Sequence, residues 1–109
     1  MTKKQILYKL VVFVPQSHIE QVRIAMANAG AGRLGKYDSC AFMSSGIGTC
    51  RPLAGAKPFK GEFGKLERVG EARLEATVEK KNLKKVIAAM KKVHPYEEVA
   101  YDVYKLENI

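Results

Sequence analysis

The chain has 109 residues, of which 47% are hydrophobic, and its formal net charge is +8 at pH 7. This length suits one domain with a single core, so we expect residues 1–109 to form one domain and not two catalytic lobes. No stretch approaches the ~20 consecutive apolar residues of a membrane-spanning helix. The basic charge permits weak, salt-sensitive attraction to anions, but it identifies no partner.

The first half of the chain predicts a strand, a helix and a second strand. Residues 8–14 are rich in β-branched and aromatic residues, which is typical of a strand. Ser17 and Glu20 have the spacing of a capping box, which predicts a helix over residues 18–29. A glycine-rich turn follows, and residues 37–45 are predicted to form the second strand.

The second half of the chain predicts a strand, a helix and a final strand. Residues 71–79 alternate between apolar and polar, as in a strand with one buried face. Asn82 can cap a helix that Pro95 ends. Residues 99–104 are predicted to form the last strand.

The predicted second helix carries most of the excess positive charge. Its lysines lie opposite the apolar stripe, so a solvated helix face explains them better than a nucleic-acid groove. Nucleic acid is therefore not a favoured partner. The lysines are Lys80, Lys81, Lys84, Lys85, Lys91 and Lys92.

The element order βαββαβ predicts an α+β, ferredoxin-like sandwich. Right-handed connections would place both helices on one face of a four-stranded antiparallel sheet. The first strand is apolar on both sides, so its second face also needs cover. A homo-oligomer that buries the sheet faces would supply this cover.

The stretch 46–64 holds five of the nine glycines and two of the four prolines. A connection of this length in a small domain is typical of a binding loop or a disordered segment. Chain order places this loop at the same edge of the sheet as the start of the first helix and residues 94–98, His-Pro-Tyr-Glu-Glu. We therefore expect these three segments to converge on a ligand site.

Three interpretations of this edge remain open, and the first is an anion or nucleotide site. Glycine backbone N–H groups, a bidentate arginine and a helix N-terminus can all bind phosphate oxygens. Cations would contact the anion, Tyr96 would stack or form a hydrogen bond, the two histidines would line the site, and the carboxylates would orient the cations. The predicted ligand-binding residues are His18, Arg51, Lys57, Lys60, His94, Tyr96, Glu97 and Glu98.

The second interpretation is a site for a divalent metal such as zinc or copper, since imidazole, thiolate and carboxylate suit both ions. Its ligands would be His18, Cys50, His94 and Glu97, although the loop cations would repel a metal. The third interpretation is purely structural: His18 lies at the start of the first helix, and His94 lies in the last turn of the second helix, where a positive charge is favourable. A Cys50 nucleophile with His94 as base is chemically possible but is not favoured.

The cysteine content and the N-terminal segment predict a cytoplasmic protein. Lys9 interrupts the apolar run that a signal peptide would need. Cys40 and Cys50 are then expected to be reduced thiols.

Three segments carry a resemblance to a known family, and the match runs from Tyr8 to Leu106. They are KLVVFVPQSHIEQVRIAMANAGAGRLGKYDSCAF, GIGTCRPLAGAKPFKGEFGKLERVGEARLE and HPYEEVAYDVYKL. In order, they resemble the PII-like and CutA-like inserted domain of the NGG-interacting-factor-three-like family, also called YqfO-like, here as a stand-alone chain.

The resemblance implies a fold akin to PII signalling proteins and CutA divalent-cation-tolerance proteins, which form trimers, and therefore a homotrimer here. In PII-like relatives the connection between strands two and three responds to ligands and partners, and small effectors lie at its base between subunits. The family's larger domain, with its dinuclear metal site and GTP cyclohydrolase-like label, is expected to be absent here.

Sequence and resemblance together predict a non-catalytic binding or regulatory module without a cofactor. Its ligand would be a small anion or a protein partner at the edge formed by residues 46–64 and 94–98. The alternatives are a divalent-metal-binding tolerance protein and a weak nucleic-acid binder.

Overall fold

The computed structural model describes residues 5–107 and residue 109. Within these residues, four strands form one antiparallel sheet, and they are β1 (Leu7–Pro15), β2 (Phe42–Cys50), β3 (Glu67–Glu79) and β4 (Tyr101–Lys105). Their order in the sheet is β2-β3-β1-β4. The ferredoxin-like βαββαβ prediction is therefore confirmed. Helix α1 (Ile19–Asn28) lies between β1 and β2 and follows a 3-10 turn over Gln16–His18, and helix α2 (Lys80–Val93) lies between β3 and β4.

The core lies between the helices and the two central strands. Alternate residues of β1 and β3, such as Leu10 and Leu74, are fully buried against the helices. Helix α2 contributes Val86 and Met90, which are also fully buried, and each such side chain stabilises the fold by about 1.5–3 kcal/mol. The predicted lysine face of α2 is exposed to solvent.

The sheet face opposite the helices is partly covered by charged side chains. Val11 on this face is fully buried. The Arg73 guanidinium lies 6.0 Å from the ring centroid of Phe13 and donates to Oε2 of Glu75 at 2.9 Å. The chain itself therefore covers part of the apolar surface that the sequence assigned to an oligomer.

The predicted loop over 46–64 is wrong at its beginning, because strand β2 continues to Cys50. Its last residues pair with β3, with Gly46 opposite Glu71 and Cys50 opposite Glu67. Glycine is depleted in strands, which explains the wrong boundary. The segment without regular structure is residues 51–66, called here the β2–β3 loop.

The starts of both helices also differ from the prediction. No side chain caps α1, and the Glu20 carboxylate instead accepts two hydrogen bonds from Arg23. Helix α2 begins at Lys80, before Asn82. The Asn82 side chain packs over Gly30, where a Cβ would come within 2.7 Å of its Nδ2. The end of α2 before Pro95 is as predicted.

Within residues 5–107, no helix is long and apolar enough to cross a membrane. The cytoplasmic location stays a prediction.

Candidate functional site

His94 fastens the start of the α2–β4 link, residues 94–100, to strand β1. Its side chain is only 7% exposed. Nε2–H donates to the Phe13 carbonyl oxygen at 2.8 Å, and Nδ1 accepts the Tyr96 backbone N–H at 3.1 Å. One nitrogen donates and the other accepts, so the ring is the neutral tautomer. Burial is the main cause that lowers the pKa of His94.

Tyr96 connects this link to strand β3. Its phenol O–H donates to Oε2 of Glu71 at 2.8 Å. Burial, followed by this hydrogen bond, raises the pKa of the Tyr96 phenol, which stays protonated. The other oxygen of Glu71 lies over Gly48 of β2, where a Cβ would overlap it. The absence of a side chain at Gly48 therefore makes room for the Glu71 carboxylate.

The β2–β3 loop folds against the α2–β4 link through one hydrogen bond and a row of rings. The Lys57 backbone N–H donates to Oε1 of Glu97 at 3.0 Å. The Phe59 ring lies edge-on to His18 with centroids 5.6 Å apart, and 6.0 Å from the Tyr96 ring. The three segments that chain order was predicted to bring together therefore meet.

These contacts border an open cleft of about 450 Å³ beside the sheet face opposite the helices. Cavities of about 300–1,000 Å³ are typical of small-molecule sites. Aromatic and apolar lining comes from Phe13, Leu53, Phe59, Val69 and the Tyr96 ring. The charged lining residues are Arg51, Lys60, Glu71, Glu97 and Glu98.

The structure separates the predicted ligand-binding residues into two groups. Arg51, Lys60, Tyr96, Glu97 and Glu98 line the cleft. The others lie outside its lining: His18 against Phe59, Lys57 through its backbone N–H to Glu97, and His94 behind the Tyr96 ring. Ligand contact by these residues stays a prediction.

The charged groups of the cleft differ in their partners. Arg51 and Lys60 are exposed, and neither forms an ion pair with another residue of the described chain. Glu71 and Glu97 each accept one of the hydrogen bonds described above. The cleft therefore offers two cations without an ion-pair partner within 4 Å among the described residues, in a lining that also holds the carboxylates of Glu71, Glu97 and Glu98.

The alternative metal set of His18, Cys50, His94 and Glu97 is not assembled. Across the described residues, no group of three or more His, Cys, Asp or Glu side chains could hold a metal ion. Both ring nitrogens of His94 are also engaged by the backbone. The same two hydrogen bonds leave His94 without a free nitrogen for the proposed pairing with Cys50.

Sequence reasoning missed Phe13, Phe59, Glu71 and Gly48 as parts of the site. Phe59 carried one usable signal, since it is an aromatic residue in a glycine-rich loop. Glu71 was one of several polar positions in an alternating strand, and nothing local marked it as the acceptor of a phenol 25 residues away.

The chain is similar in sequence to part of longer proteins. No family model matches the sequence. A Bacillus subtilis protein named GTP cyclohydrolase 1 type 2 homolog is 59% identical over 101 residues, covering 93% of this chain and 27% of that protein. A Halalkalibacterium halodurans protein of the same name is 52% identical over 107 residues, covering 98% of this chain and 29% of that protein. The chain thus spans about a quarter of the length of these relatives.

Several solved structures are also similar to the chain. A Bacillus cereus protein related to NIF3 superposes with a TM-score of 0.85 at 48% identity, covering 98% of this chain and 27% of that chain. CutA from Synechococcus elongatus has a TM-score of 0.68 at 16% identity, covering 96% and 80% of the two chains. The GlnK–ATP complex of B. subtilis has a TM-score of 0.65 at 13% identity, covering 96% and 85%. At these low identities, CutA and GlnK show the fold alone. The chain is therefore a homologue of one segment of the NIF3-related proteins, and this segment has the PII-like and CutA-like fold.

Proposed function

We propose that the chain is a non-catalytic binding or regulatory module that holds a small anionic ligand in the cleft between the β2–β3 loop and the α2–β4 link. The observation that carries this proposal is the pair of cations in the cleft lining, Arg51 and Lys60, which have no ion-pair partner among the described residues. Arginine binds carboxylate and phosphate groups through two parallel hydrogen bonds, and the apolar surroundings strengthen such contacts.

The hydrogen bonds around the cleft favour binding over acid–base chemistry. The Tyr96 phenol is protonated and donates to Glu71. Both nitrogens of His94 are satisfied by backbone groups. A general acid or base must reach the proton that it transfers. The polar groups of Tyr96 and His94 instead form hydrogen bonds within the protein.

A thermal-shift titration tests the proposal. The probes are inorganic phosphate, sulfate, ATP and zinc, with ATP included because the fold neighbour GlnK was solved as its ATP complex. A ligand at a hundred times its Kd stabilises the native state by about 2.7 kcal/mol, which raises the melting temperature. We expect at least one anion to produce such a rise, and zinc to produce less.

Two variants and one control connect the shift to the cleft. Arg51→Ala and Lys60→Ala should each reduce the anion-dependent rise, because each removes one cation from the lining. Lys84→Ala removes the same charge from the exposed face of α2 and should leave the rise unchanged. Equal responses from all three variants, or no response to any anion, would contradict the proposal. The second outcome would favour a protein partner, for which Ile47 and Leu66 offer exposed apolar surface.

We also propose that the chain forms a homo-oligomer, as a trimer, through the sheet face opposite the helices. Phe42 and Tyr104 lie on this face and are 65% and 50% exposed. Burial of such rings would stabilise an interface. Light scattering at micromolar concentration checks the assembly, and a monomer there would contradict it.

A further inference from the structure

We propose that the ligand of this cleft is a planar ring compound with an anionic substituent, so that the site recognises a ring and a charge together. This inference rests on the proposed anion binding and adds the class of ligand. It is carried by the position of three aromatic rings and two cations in one lining: Phe13, Phe59, Tyr96, Arg51 and Lys60.

The aromatic lining offers ring surface and little hydrogen-bonding capacity. The only polar atom of Tyr96 outside the backbone donates to Glu71, so a ligand meets mainly its ring. Phe59 lies between His18 and Tyr96 but is still 42% exposed, so part of its ring remains open to contact. Ring pairs with centroids about 4.5–7 Å apart attract each other beyond their buried area.

The charges of the lining favour one orientation of the bound ligand. The cations Arg51 and Lys60 come from the β2–β3 loop, whereas the carboxylates come from the α2–β4 link (Glu97 and Glu98) and from strand β3 (Glu71). An anionic group is attracted to Arg51 and Lys60 and repelled by the three carboxylates. Glu98 accepts no hydrogen bond from another described residue, so it can accept one from an N–H or O–H at the far end of the ring.

The size of the cleft argues against a bare anion as the best ligand. Its volume of about 450 Å³ far exceeds that of one phosphate group, and it lies in the range of sites for drug-sized molecules. A phosphate alone would leave the rings of Phe13 and Phe59 in contact with water. A ring that covers them removes apolar surface from water and adds to the affinity.

Calorimetric or thermal-shift titration with matched probes tests the inference. Phenyl phosphate carries both features, inorganic phosphate only the charge, and phenol only the ring. We expect phenyl phosphate to bind about tenfold more tightly than phosphate, in keeping with two ring contacts. Benzoate and adenosine monophosphate then distinguish an aryl carboxylate from a nucleotide as the source of the same chemistry.

Loop variants show whether the ring contacts are responsible. Phe59→Ala should reduce the advantage of phenyl phosphate, because it removes one ring contact, and should leave phosphate binding in place. Phe63→Ala is the matched control, since Phe63 belongs to the same loop, is 68% exposed and lies outside the cleft lining.

The outcomes separate this inference from the proposed function. If phosphate binds as tightly as phenyl phosphate, recognition of a ring is wrong and the anion site stands. If phenol binds as tightly as phenyl phosphate, recognition of the charge is wrong. If no anionic probe binds, both proposals fall.

Discussion

The substitution Gly48→Ala tests how the wall of the cleft is built. A Cβ at Gly48 would lie 2.6 Å from Cδ of Glu71 and overlap one carboxylate oxygen, so the carboxylate must turn away. The other oxygen of this carboxylate accepts the Tyr96 O–H at 2.8 Å. We therefore expect Gly48→Ala to break this hydrogen bond.

Gly46→Ala is the matched control, because Gly46 lies on the same strand and face, and a Cβ there would meet no atom within 4 Å. Each alanine restricts the unfolded chain and so stabilises the fold by about 0.4–1 kcal/mol. A hydrogen bond to a charged acceptor contributes about 1.5–3 kcal/mol, and the lower end applies because Glu71 and Tyr96 are partly exposed. Since both alanines share the first effect, Gly48→Ala should be less stable than Gly46→Ala by about 1.5 kcal/mol.

Urea denaturation followed by circular dichroism measures this difference, which corresponds to roughly 6–12 °C in melting temperature for a domain of this size. In a Tyr96→Phe background the hydrogen bond is already absent, so the two alanine variants should become nearly equal. Equal stabilities in the presence of Tyr96, or a difference that persists at full size in Tyr96→Phe, would show that Gly48 does not make room for the Glu71–Tyr96 hydrogen bond.

Three further predictions concern the loop, the buried histidine and the core. Glu97→Ala should speed hydrogen exchange at the Lys57 amide because it removes the acceptor of that N–H. Glu98→Ala is the control and should leave this exchange rate unchanged. Equal exchange rates in the two variants would contradict the prediction. Burial lowers the pKa of His94 from 6.5, so the unfolded state binds more protons below that pH and stability should fall as pH falls below about 6.5. Urea midpoints at several pH values should show this slope, and His94→Gln should flatten it; an unchanged slope would argue against His94 as its source. Leu74→Ala should lower the free energy of unfolding by about 2–5 kcal/mol, since Leu74 is fully buried, and a loss below about 1 kcal/mol in chemical denaturation would show that the core is misassigned.

The order of elements could be predicted because the strands and helices carry clear apolar periodicity. The alternation in residues 71–79 matches the inner and outer faces of β3, and the stripe of α2 matches its buried residues Val86 and Met90. Chain order and handedness then sufficed to bring the β2–β3 loop beside residues 94–98. These features depend on local pattern and on topology, and both are visible in a sequence.

The details of the cleft could not be predicted, because they depend on contacts between distant residues. Gly46 and Gly48 are typical of a loop by composition, yet pairing with β3 makes them strand. Ser17 and Glu20 fit a capping box, but Glu20 is paired with Arg23. The conformation of the β2–β3 loop also decides which predicted residues line the cleft. No short sequence motif predicts this conformation.

Ligand binding in the cleft is tested most directly by an amide NMR titration of the chain with phenyl phosphate, read residue by residue. We expect the largest chemical-shift changes on the cleft lining, around Arg51, Phe59, Lys60, Tyr96 and Glu98. Changes concentrated instead on the lysine face of α2, or no change at any residue, would contradict it.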